Sequence, residues 1–189
     1  IFLPNLRAGI AHRLDKDTSG VLLVAKDEKS LRALQRQFKN RLVKKEYWAL
    51  LHGKVPNEGS INMPVGRLAW RRERFGVAPG AKPALTYFEK KGWYQNSGGE
   101  DFSLVAVFPQ TGRTHQIRVH FSHLGYPLVS DPFYVGKKRL KSDLLWCPRL
   151  FLHAKKIGFY HPKSNKWVEF VSELPADLKK ALKSLKKKD

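Results

Sequence analysis

Two charged side chains set two residues apart are the first candidates for chemistry in this chain. In HRLDKDTSG, residues 12–20, an extended backbone projects Arg13 and Asp15 to one side and His12 and Leu14 to the other. A neighbouring guanidinium favours the charged form of an acid, which suits Asp15 to a nucleophile's or base's role. The same pair can instead fix a turn, with the Thr18 and Ser19 hydroxyls helping to aim the chain into the apolar run GVLLVA. A second group lies in TGRTHQIRVHFSHLGYP. Arg118 sits about 100° around a helix from Ile117, flanking the buried stripe. There it either meets a partner through a strong charge-assisted bond or stays a surface charge. Arg113 and His115 fall at the start of that helix, where free N–H groups favour a phosphate.

Other chemistries lack their parts. His115, His120 and His123 do not share one helical face, and Cys147 and His153 add no zinc-site spacing, so no metal is expected. Asp15 and Asp17 offer the two carboxylates of a glycosidase. Against a neutral glycan stands the charge: 36 Lys and Arg oppose 16 Asp and Glu, a formal net +20. A field of that sign attracts polyanions, nucleic acid first and an anionic membrane surface second. No amphipathic anchor is present outside the tail, which disfavours the membrane. No P-loop, dinucleotide fingerprint or Gly-x-Ser-x-Gly elbow occurs, so nucleotide hydrolysis and serine acyl transfer drop out.

These residues need a scaffold to hold them. GVLLVAK, 20–26, reads as a buried strand. Asp27 can cap a helix whose stripe is Leu31, Leu34, Phe38 and Leu42; Lys29, Arg32, Arg36 and Lys39 form its polar face, either solvated or turned to RNA. KKEYWALLHG, 44–53, is a strand. Residues 54–83, rich in Gly and Pro, form a long loop or a pair of short hairpins, with Trp70 and Phe75 in an RNA-contacting arm. ALTYFEKKGWY and DFSLVAVFP pair across QNSGGE. A helix over 112–124 follows, capped by Thr111 or Thr114, striped by Ile117, Phe121 and Leu124, and closed by Gly125 and Pro127. RLFLHAKKIGFYHP and KWVEFVS are strands, a helix starts near Pro175, and residues 179–189 make a fraying basic tail. The sum is one α+β domain over residues 1–189, a mixed, largely antiparallel sheet with flanking helices.

Composition agrees with a packed domain: 42% of the 189 residues are hydrophobic. The one cysteine excludes an intrachain disulfide and favours a reducing compartment. No apolar run approaches the roughly 18 residues of a membrane span, and IFLPNLRAGIAHR lacks a signal-peptide core. A chain opening on Ile1 is expected to continue a segment upstream.

Taken in order, HRLDKDTSGVLLVAKD, KKEYWALLHG, TGRTHQIRVHFSHLGYPLVSDPFY and RLFLHA resemble the RluA-type family of pseudouridine synthases, from about Gly9 to about Asp177. The resemblance implies the catalytic aspartate at Asp15, a base-stacking tyrosine at Tyr47 that is also a candidate to take the C5 proton, and a basic residue at Arg118 that pairs with Asp15. It implies that Arg13 fills the space of the displaced uridine. Leu150 and Leu152 would line an apolar pocket wall, or simply belong to the core. It also implies isomerisation without cofactor or metal, on ribosomal or else transfer RNA, by a cytoplasmic monomer with no protein partner. The family's upstream strand and NKP-like segment precede the first motif and are absent from this sequence, which would leave a sheet edge open. A non-catalytic RNA-binding module or a ribosome-assembly factor of the same fold is the competing reading.

Overall fold

A computed structural model describes residues 9–68 and 71–188. Its centre is β2 (Lys44–His52), flanked by β7 (Asp101–Pro109) and β8 (Leu152–Tyr160). The main sheet runs β1 (Ser19–Gly20), β8, β2, β7, β6 (Leu85–Gln95) and β10 (Lys186–Lys188), with β3 (Glu58–Asn62) added to β6 and β9 (Trp167–Val171) to β8. Only β1 (Ser19–Gly20) pairs in parallel, so the α+β class with a largely antiparallel sheet is what the structure shows. Central strands are apolar on both faces, as strands covered twice must be. Ala49, Leu51, Val105 and Val107 pack under Ile117 and Phe121 of α2 (Gln116–His123). On the opposite face Leu50, Phe102 and Leu104 pack with Phe151 and with Leu178 and Ala181 of α4 (Ala176–Lys183), the helix after the short α3 (Lys137–Asp143). No helix among the described residues is long and apolar enough to cross a membrane.

Several boundaries depart from the sequence reading for local reasons. The expected strand over 20–26 shrinks to Ser19–Gly20, because β9 occupies the rest of that edge of β8. Val171 pairs with Lys156, and the Ser172 amide donates to the Lys155 carbonyl. Leu22 and Val24 are consequently exposed rather than buried. α1 (Glu28–Lys39) is capped by Asp27, whose carboxylate accepts from the Ser30 amide at 2.7 Å. It stops before Leu42 because Arg41 takes a left-handed φ of 58°, leaving Leu42 exposed. The Gly/Pro-rich stretch holds β3 and a hairpin of β4 (Val65–Leu68) with β5 (Arg71–Val77); Trp70 of the expected arm lies outside the described residues. The basic tail is ordered through its backbone: β10 (Lys186–Lys188) pairs with Trp93–Gln95 on β6.

α2 is shorter than expected. His115 has φ 56° and cannot extend it; it is itself the N-cap residue, and neither Thr111 nor Thr114 caps the first turn. Gln116 Oε1 accepts from the Thr111 hydroxyl (2.7 Å) and the Arg113 amide (3.0 Å). Its Nε2 donates to the Leu85 carbonyl and the Thr86 hydroxyl. Buried and fully bonded, this one side chain ties the 111–116 loop to β6. Of the expected stripe, Ile117 and Phe121 are buried; Leu124 lies past the helix end and is exposed.

Candidate active site

The segment carrying Asp15 is bound to β8 by backbone rather than by apolar contact. The Thr18 amide donates to the Asp15 carbonyl, closing a turn, and Val21 donates to the Ala154 carbonyl, both at 3.0 Å. Gly20 has φ 116°, and a Cβ there would collide with the Ala154 backbone, so only glycine permits this approach. Arg149 Nη1 donates to the Asp17 carbonyl at 3.1 Å. His153, whose Nε2 donates to the Ser172 carbonyl, accepts the Ser19 hydroxyl at Nδ1 (2.9 Å).

This anchoring presents Asp15 to Arg118. Arg118 Nη1 donates to Asp15 Oδ2 at 3.2 Å. Behind it, Arg118 Nε and Nη2 donate to the two oxygens of Asp131, each at 2.8 Å, in a bidentate fork. Asp131 is fully buried; Arg118 is 3% exposed. Asp131 Oδ1 also accepts from the Phe133 and Tyr134 amides, and both rings pack over the guanidinium. Burial alone would lower the arginine's pKa; the bonds and charge of Asp131, then of Asp15, outweigh it and raise it. Arg118 is thus a fixed cation with one face buried and one carboxylate at the cavity.

The partner of Asp15 is therefore Arg118 and not Arg13: no ion pair joins Arg13 to Asp15 among the described residues, although both line the same cavity. That cavity, about 130 Å³, is also lined by Thr18, Tyr47, Leu152 and the loop bearing Arg113 and His115. Leu150 does not line it and is buried in the core with Ile117 and Phe121 of α2, a cluster that Leu152 joins while also reaching the cavity. Beside Tyr47, β8 carries one extra residue, Lys155, against β2; this bulge interrupts the register between Glu46 and Tyr47. Burial, and secondarily the charge of Asp15, push the Tyr47 phenol up to about 12. The Thr18 hydroxyl is buried and has no hydrogen-bond partner among the described residues, so it has bonding capacity left for a ligand.

His115 Nε2 lies 4.0 Å from Asp15 Oδ2. Its Nδ1 is 3.0 Å from the Tyr134 hydroxyl, which itself accepts from the Phe75 amide at 3.4 Å. A hydroxyl that accepts from Phe75 is free to donate to His115, an assignment that leaves the imidazole proton on Nε2, toward Asp15. Burial, then Arg118, lower the His115 pKa, so the ring is neutral at pH 7. Arg113 is half-buried at the cavity wall, and its Nε donates to the Pro83 carbonyl. Asp131, Gln116 and Tyr134 carry no signal in the sequence that would have marked them. Asp131 precedes a proline, which announces a turn and nothing about Arg118.

A mixed sheet with a buried guanidinium between two carboxylates, opening beside a phenol into a cationic cavity, defines a narrow class of site. The family model described as RNA pseudouridylate synthase matches residues 3–123, and the chain belongs to that family. It is 45% identical over 95% of its length to an uncharacterized RNA pseudouridine synthase of Chloroflexus aurantiacus, of which it covers 54%. It is 38% identical over 95% of its length to ribosomal large subunit pseudouridine synthase D of Nitrosomonas europaea, of which it covers 52%. Among solved structures, human RNA pseudouridylate synthase domain containing 1 superposes with a TM-score of 0.81 at 31% identity, covering 95% of this chain and 74% of that one. The chain spans about half the length of the curated relatives it matches.

Proposed function

We propose that this chain is the catalytic part of a cytoplasmic RNA pseudouridine synthase, acting as a monomer on a uridine of large-subunit ribosomal RNA, the substrate class named for its relatives. The observation that carries the proposal is the convergence of Asp15, Tyr47 and Arg118 on one cavity, with Asp15 held by Arg118 at 3.2 Å. Asp15 attacks C1′ of the extruded nucleotide as the C1′–N1 bond breaks, the uracil turns, and C5 bonds to C1′ with Asp15 leaving as the free carboxylate. The C5 proton leaves and N1 gains one, so nothing is consumed and no electron donor is needed. Arg13, on the rim, takes the place of the extruded base; Arg113 and His115 face phosphate; Leu152 forms apolar wall; Thr18 hydrogen-bonds the nucleotide.

Tyr47 has two roles in sequence. At neutral pH its phenol is uncharged and stacks on uracil. Part of what keeps it protonated is the charge of Asp15. Once C5 has bonded to C1′ and Asp15 has left, the hydrogen on the now tetrahedral C5 is acidic, and Tyr47, as its phenolate, takes that proton late in the cycle. Asp15→Asn tests the reading. Tritium release from ribosomal RNA labelled with 5-tritiated uridine should vanish, while RNA affinity and melting temperature stay near wild type. Retained release would remove Asp15 from the mechanism, and a wild-type chain that releases no tritium yet binds the RNA would favour the binding-module reading.

A further inference from the structure

Beside the uridine cavity lies a second groove of about 500 Å³. The two share Arg13, Lys45, Tyr47 and Thr111–Arg113 as a common wall. Arg13, Lys39, Arg41, Lys45 and Arg113 line the groove, and no carboxylate does. His12 and Phe38 also line it, with ring centroids 4.9 Å apart. The imidazole is uncharged: burial, then Lys45, bring its pKa to about 4, and its Nε2 accepts the Leu23 amide at 3.0 Å. The groove thus has what a nucleotide requires, cations for a phosphate and neutral rings for a base.

Lys45 is the residue that belongs to both spaces. Its side chain is half-buried; the ammonium's only hydrogen bond among the described residues is to the Thr111 carbonyl at 3.4 Å, and no ion pair there joins it to a carboxylate. Burial lowers its pKa to about 8, yet at pH 7 it is still mostly an ammonium. A half-buried cation without a counter-charge is unfavourable for the free protein. An anion arriving in the common wall would relieve it.

We propose that the groove binds the nucleotide adjacent to the target uridine on the same RNA strand, with Lys45 on the phosphate that joins the two. The proposal rests on the reading of the main cavity as the uridine site. It makes Lys45 a contact that every RNA substrate meets, because a phosphate carries no sequence, while the His12–Phe38 rings select among flanking bases only weakly.

The test compares uridine with the dinucleotide uridylyl-uridine by calorimetric or NMR titration of the whole chain. In the wild type the dinucleotide should bind about tenfold or more tightly than uridine, the worth of one charge-assisted phosphate contact. Lys45→Met should bring the two ligands within about twofold of each other; Lys45→Arg should restore the difference. Arg41→Gly guards against a folding artefact, since glycine accepts the 58° φ of that position and Arg41 lines the groove but not the uridine cavity. It should weaken the dinucleotide alone. Equal wild-type affinities, or a difference that survives Lys45→Met, would overturn the subsite while tritium release continues. Absence of tritium release with the dinucleotide difference intact would remove the enzyme reading and leave a two-nucleotide binding site.

Discussion

Two buried polar networks tie the 128–147 region to the sheet, and they end differently. In one, Arg118 lies between Asp131 and Asp15. In the other, His52 lies between Asp143 (2.9 Å) and Glu100 (3.2 Å), and Asp143 also accepts the Ser130 amide. Asp131 and Asp143 are alike in burial. Adjacent residues feed the two: Ser130, turned by a φ of 56°, gives its amide to one network, and Asp131 gives its carboxylate to the other. The Asp143 network closes on His52 and runs out at the half-exposed Glu100 beside a surface groove, with only an imidazole behind that acid, whereas the Arg118 network puts a buried guanidinium behind an acid that opens into a cavity. Burial and ion pairing alone therefore do not mark a reactive site. A fixed cation that aims a carboxylate at a space for a ligand does.

The comparison breaks most visibly at Asp131. Asp131→Asn leaves Arg118 with half its counter-charge and a poor acceptor for its fork. Turnover should fall on the order of 10²-fold, about 2.7 kcal/mol, and unfolding free energy by roughly 3 kcal/mol, with RNA affinity little changed. Tritium release and urea titration read the two effects separately. Acid gives the next largest effect. His12, His115, His120 and His153 all have pKa values lowered, chiefly by burial, His12 to about 4. Between pH 6.5 and 4 the unfolded chain binds protons that the folded His12 refuses, so stability is full above pH 6.5 and declines as pH falls. His12 alone accounts for at most about 3 kcal/mol of that loss. Urea midpoints at pH 7 and 5 should converge in His12→Gln. A wild type no less stable at pH 5 than at pH 7 would contradict neutral, buried histidines.

Smaller still is Asp143→Asn, which weakens the closed network by about 1–2 kcal/mol and should leave turnover within about twofold below the melting transition. If it instead depressed turnover as Asp131→Asn does, Ser130–Asp131 would be coupling the networks, and the distinction between closed and open would fail.

How much of this was readable beforehand follows the same divide between backbone pattern and side-chain contact. β2, β6, β7, β8 and β9 announce themselves by apolar runs between turn signals, and α1 by Asp27 with Leu31 and Leu34. Asp15, Tyr47 and Arg118 stand out only through the resemblance of their motifs, and spacing alone pairs Asp15 with the wrong arginine. Two residues apart in sequence, Arg13 is near enough to suggest a pair; 103 residues away, Arg118 is brought in by α2 and held by Asp131. β1 is cut short by competition with β9, and β10 forms from a lysine run whose side chains oppose no particular partner but whose amides suit the β6 edge. Neither is encoded in a local period. Gln116 ties the loop before its own helix to β6, a contact that no local pattern locates.

The smallest predicted effect concerns the link from the β4–β5 hairpin to the site. The Tyr134 hydroxyl connects the Phe75 amide to His115, and His115 faces Asp15 at 4.0 Å. Phe75 also packs edge-on against the imidazole, with centroids 5.5 Å apart. Tyr134→Phe removes the hydroxyl and keeps the ring over Arg118, so Arg118 and Asp15 stay in place while the imidazole loses the partner that sets its tautomer. One neutral hydrogen bond is worth about 1 kcal/mol, or roughly fivefold. The loss should fall more on kcat than on KM, because the hydroxyl lies behind His115 rather than on the RNA and the imidazole it orients faces Asp15. An equal loss in KM would instead place the hairpin's contact with RNA, and not the orientation of His115, at the origin of the effect.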